Sequence, residues 1–396
     1  MLKRYKNSYL SCFLMYNFYY LSWAVFSALI SVYLLDKGFK ASEVSLVVST
    51  SFLTSMIFQP VIGMLSDCFD VKKVNFVLFG LAALGGLAFM FADSLIAIII
   101  GYSFVLTLIN GTTPVMEKIA SSSPYQYGKI RIWGTIGYAI GSWLAGMIYQ
   151  CISPSAIFVC FIITMTLCII GLLGTETPDD LAQEKEEKTK TSTLFHNHKY
   201  LYYLVIASVF QVITNMANTY IPAMFQNDGL PVNIVSTILS FAVICEAPLV
   251  LFSHKFMDKL SNKKLLIIAY TMISIQFLCY AFNVWLPLKV FVTLVTKHPS
   301  GMLFIMINLK VVNTLVPQEH QITALAFVQT LRNLSSIIFQ NIAGQILDVS
   351  SYQVLFALSS IIIAIGFILV FLFKVPSGKD RKNIQLKYIK RLFALE

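Results

Sequence analysis

Apolar runs of roughly twenty residues, parted by short polar breaks, recur through this 396-residue chain. A helix of about 20 residues covers the roughly 30 Å of a bilayer's hydrocarbon. Only helices and closed barrels satisfy their own backbone groups there. The runs fall at 9–35, 43–66, 74–92, 95–119, 128–150, 154–174, 200–226, 233–257, 265–284, 286–312, 321–347 and 353–374. They predict an all-α membrane protein with twelve transmembrane helices. The tenth run is the most interrupted, by Lys289, Lys297, His298, Pro299 and Gly301. Residues that are 57% hydrophobic and only 12% charged, with mean hydropathy +0.74, exclude an ordinary soluble domain.

The formal net charge is +10, which raises nucleic acid as a partner. The distribution argues against it. With the N-terminus inside, the inner loops hold Lys72 and Lys73, Lys118 and Lys129, Lys185 to Lys199, and Lys255 to Lys264. The tail adds Lys379, Arg381, Lys382, Lys387, Lys390 and Arg391, whereas the outer loops hold little beyond Lys37 and Lys40. This is the positive-inside bias, and it predicts a cell (inner) membrane protein with both termini cytoplasmic. The basic tail suits anionic lipid. We expect a monomer with no nucleic-acid partner, no metal and no cofactor. Lys3, Arg4 and Lys6 precede an apolar run as in a signal peptide, but that run is long and lacks an A-x-A site, so it reads as a retained span. The seven cysteines lie mostly inside apolar runs without C-x-x-C spacing and read as small hydrophobes.

The two halves repeat. A shift of 191 residues brings Gly38 onto Gly229, Asp67 onto Asp258, Lys72 onto Lys263 and Lys73 onto Lys264. This predicts six-helix bundles over 1–174 and 200–374, a cytoplasmic linker over 175–199 and a basic tail over 375–396. In the linker, His196 and His198 form an H-x-H that fits either a metal ligand pair or a solvated segment. Parallel repeats suit a transporter whose halves rock about a site at the bilayer midplane.

One span stands out. Over Tyr127 to Trp143, read as apolar enough to cross a bilayer, Arg131, Thr135 and Tyr138 share a helix face. Gly137, Gly141 and Ala145 recur every four residues on a neighbouring face, which lets a second helix approach closely. A guanidinium at membrane depth needs a partner. In the loop after span two, Gly63 is read as permitting close helix approach. Asp67 lies at a helix C-terminus, where Lys72 and Lys73 can offset the unfavourable dipole. Tyr16, Tyr20, Trp23 and Phe26 form an aromatic stripe in span one, read as packing or as a stacking surface.

The loop Gly63-Met-Leu-Ser-Asp67-Cys-Phe-Asp-Val-Lys72-Lys73 resembles the loop signature of the major facilitator superfamily. Its second copy has His254 in place of the glycine. The run Phe58 to Asp67 is similar to FQPxxGxLSD of the oligosaccharide:proton symporters of the lactose-permease type. Tyr33-Leu-Leu-Asp36, Asn110 to Glu117 and Gly128 to Tyr138 resemble further motifs of that family, and Ala145-Gly146 and Ala343-Gly344 recur near the ends of spans five and eleven. The loop between Glu117 and Gly128 is a turn shorter than in the family.

The resemblance implies substrate-binding roles. Glu117 and Arg131 would pair and bind sugar hydroxyls, Tyr138 would stack on the ring, and Glu246 would link sugar and proton. Thr135, Tyr20, Trp23 and Asn218 complete the expected site. The residues themselves allow Glu117 and Arg131 to form a bidentate pair facing a cavity, or to snorkel to the inner surface. Glu246 lies deep in span eight, where snorkelling is hard. Proton coupling would use Glu246, Arg332 and His298. The conformational gate would use Gly63, Asp67, Lys72, Lys73, Asp258, Lys263 and Lys264.

The chain also departs from the family. Span seven, where the partner acid of a span-eleven cation is expected, offers only Gln211, Thr214, Asn215, Asn218 and Thr219. Arg332 must therefore find Glu246, a polar neighbour or water. His298 is one position off the family's histidine, and Ser300 or Gly301 stands where its acid would be. No Walker loop, HExxH, Rossmann glycines or Ser/His/Asp order suggests an enzyme. The expectation is cation-coupled, chiefly proton-coupled, uptake of a sugar or oligosaccharide. A nucleoside or other polar-metabolite symporter, a drug exporter and a non-transporting sensor or assembly protein are the rivals.

Overall fold

The computed structural model describes residues 5–175, 194, 196–257, 259–317 and 320–374, apart from the side chains of Asp67, His254 and Ile322. Asp258, Glu319, nearly all of the linker and the basic tail lie outside the described residues. Twelve long helices account for most of the rest. They are α1 (Tyr9–Asp36), α2 (Ala41–Cys68), α3 (Val71–Met90), α4 (Leu95–Ser121), α5 (Tyr127–Cys151), α6 (Ala156–Gly174), α7 (His198–Asn227), α8 (Val232–Leu251), α9 (Asn262–Ala281), α10 (Leu286–Leu315), α11 (Gln321–Val349) and α12 (Tyr352–Leu372).

Ten of the twelve are long and apolar enough to cross a membrane. The two that fall short are α5 and α11, which carry Arg131 and Arg332. This corrects the reading of the Tyr127 stretch as apolar enough by itself. Its glycines and amphipathic aromatics add little hydropathy, and its charge subtracts some. Neighbouring helices cover what lipid does not.

The tenth span holds and the eighth changes. The tenth span is one continuous helix, Leu286–Leu315, despite Pro299 and its polar residues. Lys289 is buried there and donates to Asn283 Oδ1 at 2.5 Å. The eighth span is not continuous. Its first piece ends at Ile244, a short piece runs Ala247–Leu251, and Glu246 sits at the break. Pro248 explains it: the ring lacks an N–H and crowds the carbonyl four residues back, at Ile244.

The repeat has a local structural counterpart. Gly38 and Gly229 both adopt positive φ, +88° and +92°, in the turns that end α1 and α7. The same bonds close each turn: Gly38 N–H donates to Leu35 and Phe39 N–H to Leu34, as Gly229 does to Gln226 and Leu230 to Phe225. Asp70 caps α3 by accepting from the Lys72 and Lys73 backbones, and Ser261, 191 residues on, caps α9 by accepting from Lys264.

The contacts form two compact units. The first comprises Met1–Glu186 with Met216–Ile244 and Ile337–Ser350; the second comprises Glu187–Asn215 with Cys245–Ser336 and Ser351–Glu396. In the first, α1 packs on α5 and α6, α2 on α4, and α3 on α4 and α6. The first piece of α8 also packs on α5. Glycines set several of these approaches. A Cβ at Gly137 would lie 2.2 Å from the Asn17 carbonyl oxygen, and one at Gly141 would lie 2.4 Å from that of Leu21. The small-residue face of α5 is therefore the seat of α1. Gly146 meets Ser236 in the same way, and Gly344 meets Ser45 and the Ala41 carbonyl, which gives both Ala-Gly pairs a packing role. In the second unit, α9 packs on α10 and α12.

Candidate functional site

The first unit gathers its polar side chains around Glu117, near the end of α4. Glu117 Oε1 accepts from the hydroxyls of Tyr16 at 2.7 Å and Tyr20 at 2.8 Å, both on α1. Its Oε2 accepts from Tyr127 at 2.5 Å, from the first turn of α5. Arg131, one turn on, brings Nε to 3.8 Å from Glu117 Oε1 and lies 5.6 Å above the Tyr20 ring. The Glu117 and Arg131 side chains are each about a third exposed, at 31% and 33%. The pair expected from the sequence thus meets, but through one long contact and not a bidentate fork. Three phenols thus donate to the carboxylate, and Arg131 adds its charge beside it.

An aromatic row extends from this pair. Tyr20 and Trp23 stack with centroids 6.0 Å apart, and Tyr138 approaches Trp23 edge-on at 6.4 Å. Trp23, Thr135 and Tyr138 are half-buried, so the row is neither fully packed away nor fully open. Its position depends on small residues: a Cβ at Gly134 would lie 2.7 Å from the Tyr16 ring. Sequence reasoning misses Tyr16 and Tyr127 as partners of Glu117. Their spacing held the signal, since Tyr16 and Tyr20 are i, i+4, as are Tyr127 and Arg131.

The second unit holds a different arrangement. Arg332 on α11 is only 7% exposed. It donates from Nη2 to Gln211 Oε1 on α7 and from Nη1 to Gln329 Oε1 at 3.4 Å. Its guanidinium lies 5.9 Å from the centroid of Phe304 on α10. Gln211 passes its own amide on to Asn215 at 2.7 Å, and Asn215 donates to Ser336 at 2.8 Å. Among the described residues no carboxylate bonds to Arg332. The polar neighbour proves to be Gln211. On α10, Lys297 and His298 meet at 3.1 Å, and the Lys297 ammonium lies in the field of Glu246. Asn218 is exposed.

The loop signature is met in part. Nothing lies within 4 Å of a Cβ built on Gly63, so the close helix approach expected there is absent. The Asp67 side chain lies outside the described residues. The acid beside Lys73 is Asp70, at 3.9 Å. In the second copy, Lys263 donates to the Phe371 carbonyl at 2.5 Å.

The model of the Major Facilitator Superfamily matches residues 12–338. The chain belongs to that superfamily. It is a multi-pass membrane transporter. The maltose permease of Geobacillus stearothermophilus is 24% identical over 332 residues, covering 80% of this chain and 82% of the permease. The sucrose permease of Escherichia coli is 24% identical over 390 residues, covering 90% and 92%. The crystal structure of the nucleoside transporter NupG superposes with a TM-score of 0.77 at 15% identity, covering 92% of this chain and 98% of that one. At that identity the likeness speaks for the fold alone.

Proposed function

We propose that this transporter takes up a sugar or oligosaccharide together with a proton, by alternating access, across the cytoplasmic membrane and with both termini inside. The observation that carries this reading is the Glu117–Arg131 pair with its row of Tyr20, Trp23 and Tyr138. A guanidinium offers directed donors to hydroxyl oxygens. Flat aromatic faces complement the apolar C–H surface of a sugar ring. Relatives named as maltose and sucrose permeases support the same cargo. For the proton, Glu246 at the break in α8 is the carboxylate we assign to coupling, with Lys297, whose ammonium lies in its field, and His298 beside Lys297 on α10. No cofactor is needed for such exchange. Lys72, Lys73, Lys263 and Lys264 are the described basic members of the proposed gate.

The test is reconstitution. Sugar added to proteoliposomes holding the purified protein should enter and alkalinise the outside medium. Sugar entry without a change in pH leaves a uniporter and removes the coupling role of Glu246. A nucleoside is the second reading, because the same row can stack a base. Entry of uridine or adenosine with no sugar entry would establish it in place of the first.

A further inference from the structure

We propose that Arg332 binds a carboxylate carried by the transported solute, so that among sugars the preferred cargo is one bearing an acid group, of the sugar-acid kind. This rests on the reading of the chain as a transporter of hydroxylated solutes and narrows the substrate class. The starting point is a charge that bonds to no counter-charge among the described residues. Arg332 is more than nine-tenths buried, yet both groups to which it donates, Gln211 and Gln329, are neutral amides. Its Nε is buried and has no hydrogen-bond partner. Leaving a buried cation uncompensated is costly.

The geometry says what kind of anion fits. Nε and Nη2 form the edge of a guanidinium that a carboxylate grips with two parallel bonds. Gln211 Oε1 already accepts from Nη2. An amide has a single carbonyl oxygen, and the Gln211 nitrogen is turned to Asn215. The second acceptor is therefore missing, and Nε is the donor left over. A carboxylate satisfies both donors and neutralises the charge. A spherical ion such as chloride satisfies the charge but not the paired geometry. Gln329 also donates to Asn333 at 3.0 Å, so amides that hydrogen-bond readily flank the guanidinium and suit the hydroxyls of a polyol acid.

The experiment uses the full chain, purified in chloride-free buffer, and matched pairs differing by a carboxylate: glucose and glucuronate, galactose and galacturonate, lactose and lactobionate. Binding is read from the rise in melting temperature with concentration, since a ligand of the folded form stabilises it by mass action. In at least one pair the acid should bind about tenfold tighter or more, the scale of one charge-assisted bond pair. Arg332→Gln should bring that ratio close to one, and Arg332→Lys should keep part of it. Equal or tighter binding of the neutral member in every pair overturns the proposal while leaving the hydroxyl-binding reading intact. A full shift from sodium chloride alone, with no addition from any acid, also overturns it by making the counter-ion inorganic. No binding by any member removes both readings. If Arg332→Gln does not fold, the wild-type ratios still decide.

Discussion

Among the described residues, two arginines sit inside helices, and their surroundings are opposite. Arg131 has a carboxylate within 4 Å, and that carboxylate is held by three tyrosines. Arg332 has two neutral amides and a phenylalanine ring. The first arrangement is complete in itself. The second is short of one acceptor and one negative charge. Both arginine-bearing helices hold tight glycine seats, Gly134, Gly137 and Gly141 of α5 against α1 and Gly344 of α11 against Ser45, whereas a Cβ at Gly301 on α10 meets only Thr214, at 4.0 Å. The difference is one of charge balance: Arg131 has its own acid, whereas among the described residues the guanidinium of Arg332 bonds only to neutral amides.

The largest expected effect comes from breaking the complete site. Glu117→Gln keeps the shape but replaces an acceptor-only group that serves three phenols with one that has a single acceptor atom. Solute uptake efficiency should fall about ten- to a hundredfold, as expected when charged hydrogen bonds are lost. Uptake unchanged by Glu117→Gln would mean that the site lies elsewhere. Next comes the seat of the helix. Gly137→Ala forces a methyl onto the Asn17 carbonyl, and overpacking of this kind costs about 1–3 kcal/mol. A melting curve that does not move would show that α1 and α5 can part at no cost.

The third prediction reverses the sign between the two arginines. Removing Arg131 strands a carboxylate among phenols and should lower the melting temperature. Removing the charge of Arg332 as Arg332→Gln relieves an unpaired buried cation and should leave the solute-free protein as stable or more so, by up to about 1–4 kcal/mol. If both variants lose stability equally, the contrast between the two sites is false. The smallest effect is at Gly301. Alanine there meets open space inside a helix, and a gain of about 0.5–1 kcal/mol is expected on helix propensity. A clear loss would mean that the backbone there must come closer to another helix during the transport cycle.

Much of this molecule was legible in its residues because a bilayer leaves few choices. Runs of about 20 apolar residues must become helices, and the run lengths gave twelve of them. The 191-residue repeat gave matched turns, down to the positive φ at Gly38 and Gly229. Spacing alone put Arg131, Thr135 and Tyr138 on one face and the α5 glycines on another. Resemblance, and their places at adjacent helix ends, pair Glu117 with Arg131 from the sequence.

Tertiary structure decided what each polar group touches. Sequence periodicity gives the direction of a side chain about its own helix axis, but not which helix stands opposite or at what distance. Hence the three-tyrosine cradle of Glu117, with Tyr127 reaching back from α5, came only from the packing of α1, α4 and α5. The break at Cys245–Glu246 followed from Pro248, yet the apolar run concealed it because hydropathy does not record a lost N–H. The composition showed that α7 has no acid for Arg332. Only the fold showed that Gln211 takes that place, and that the buried Nε of Arg332 is left without an acceptor among the described residues.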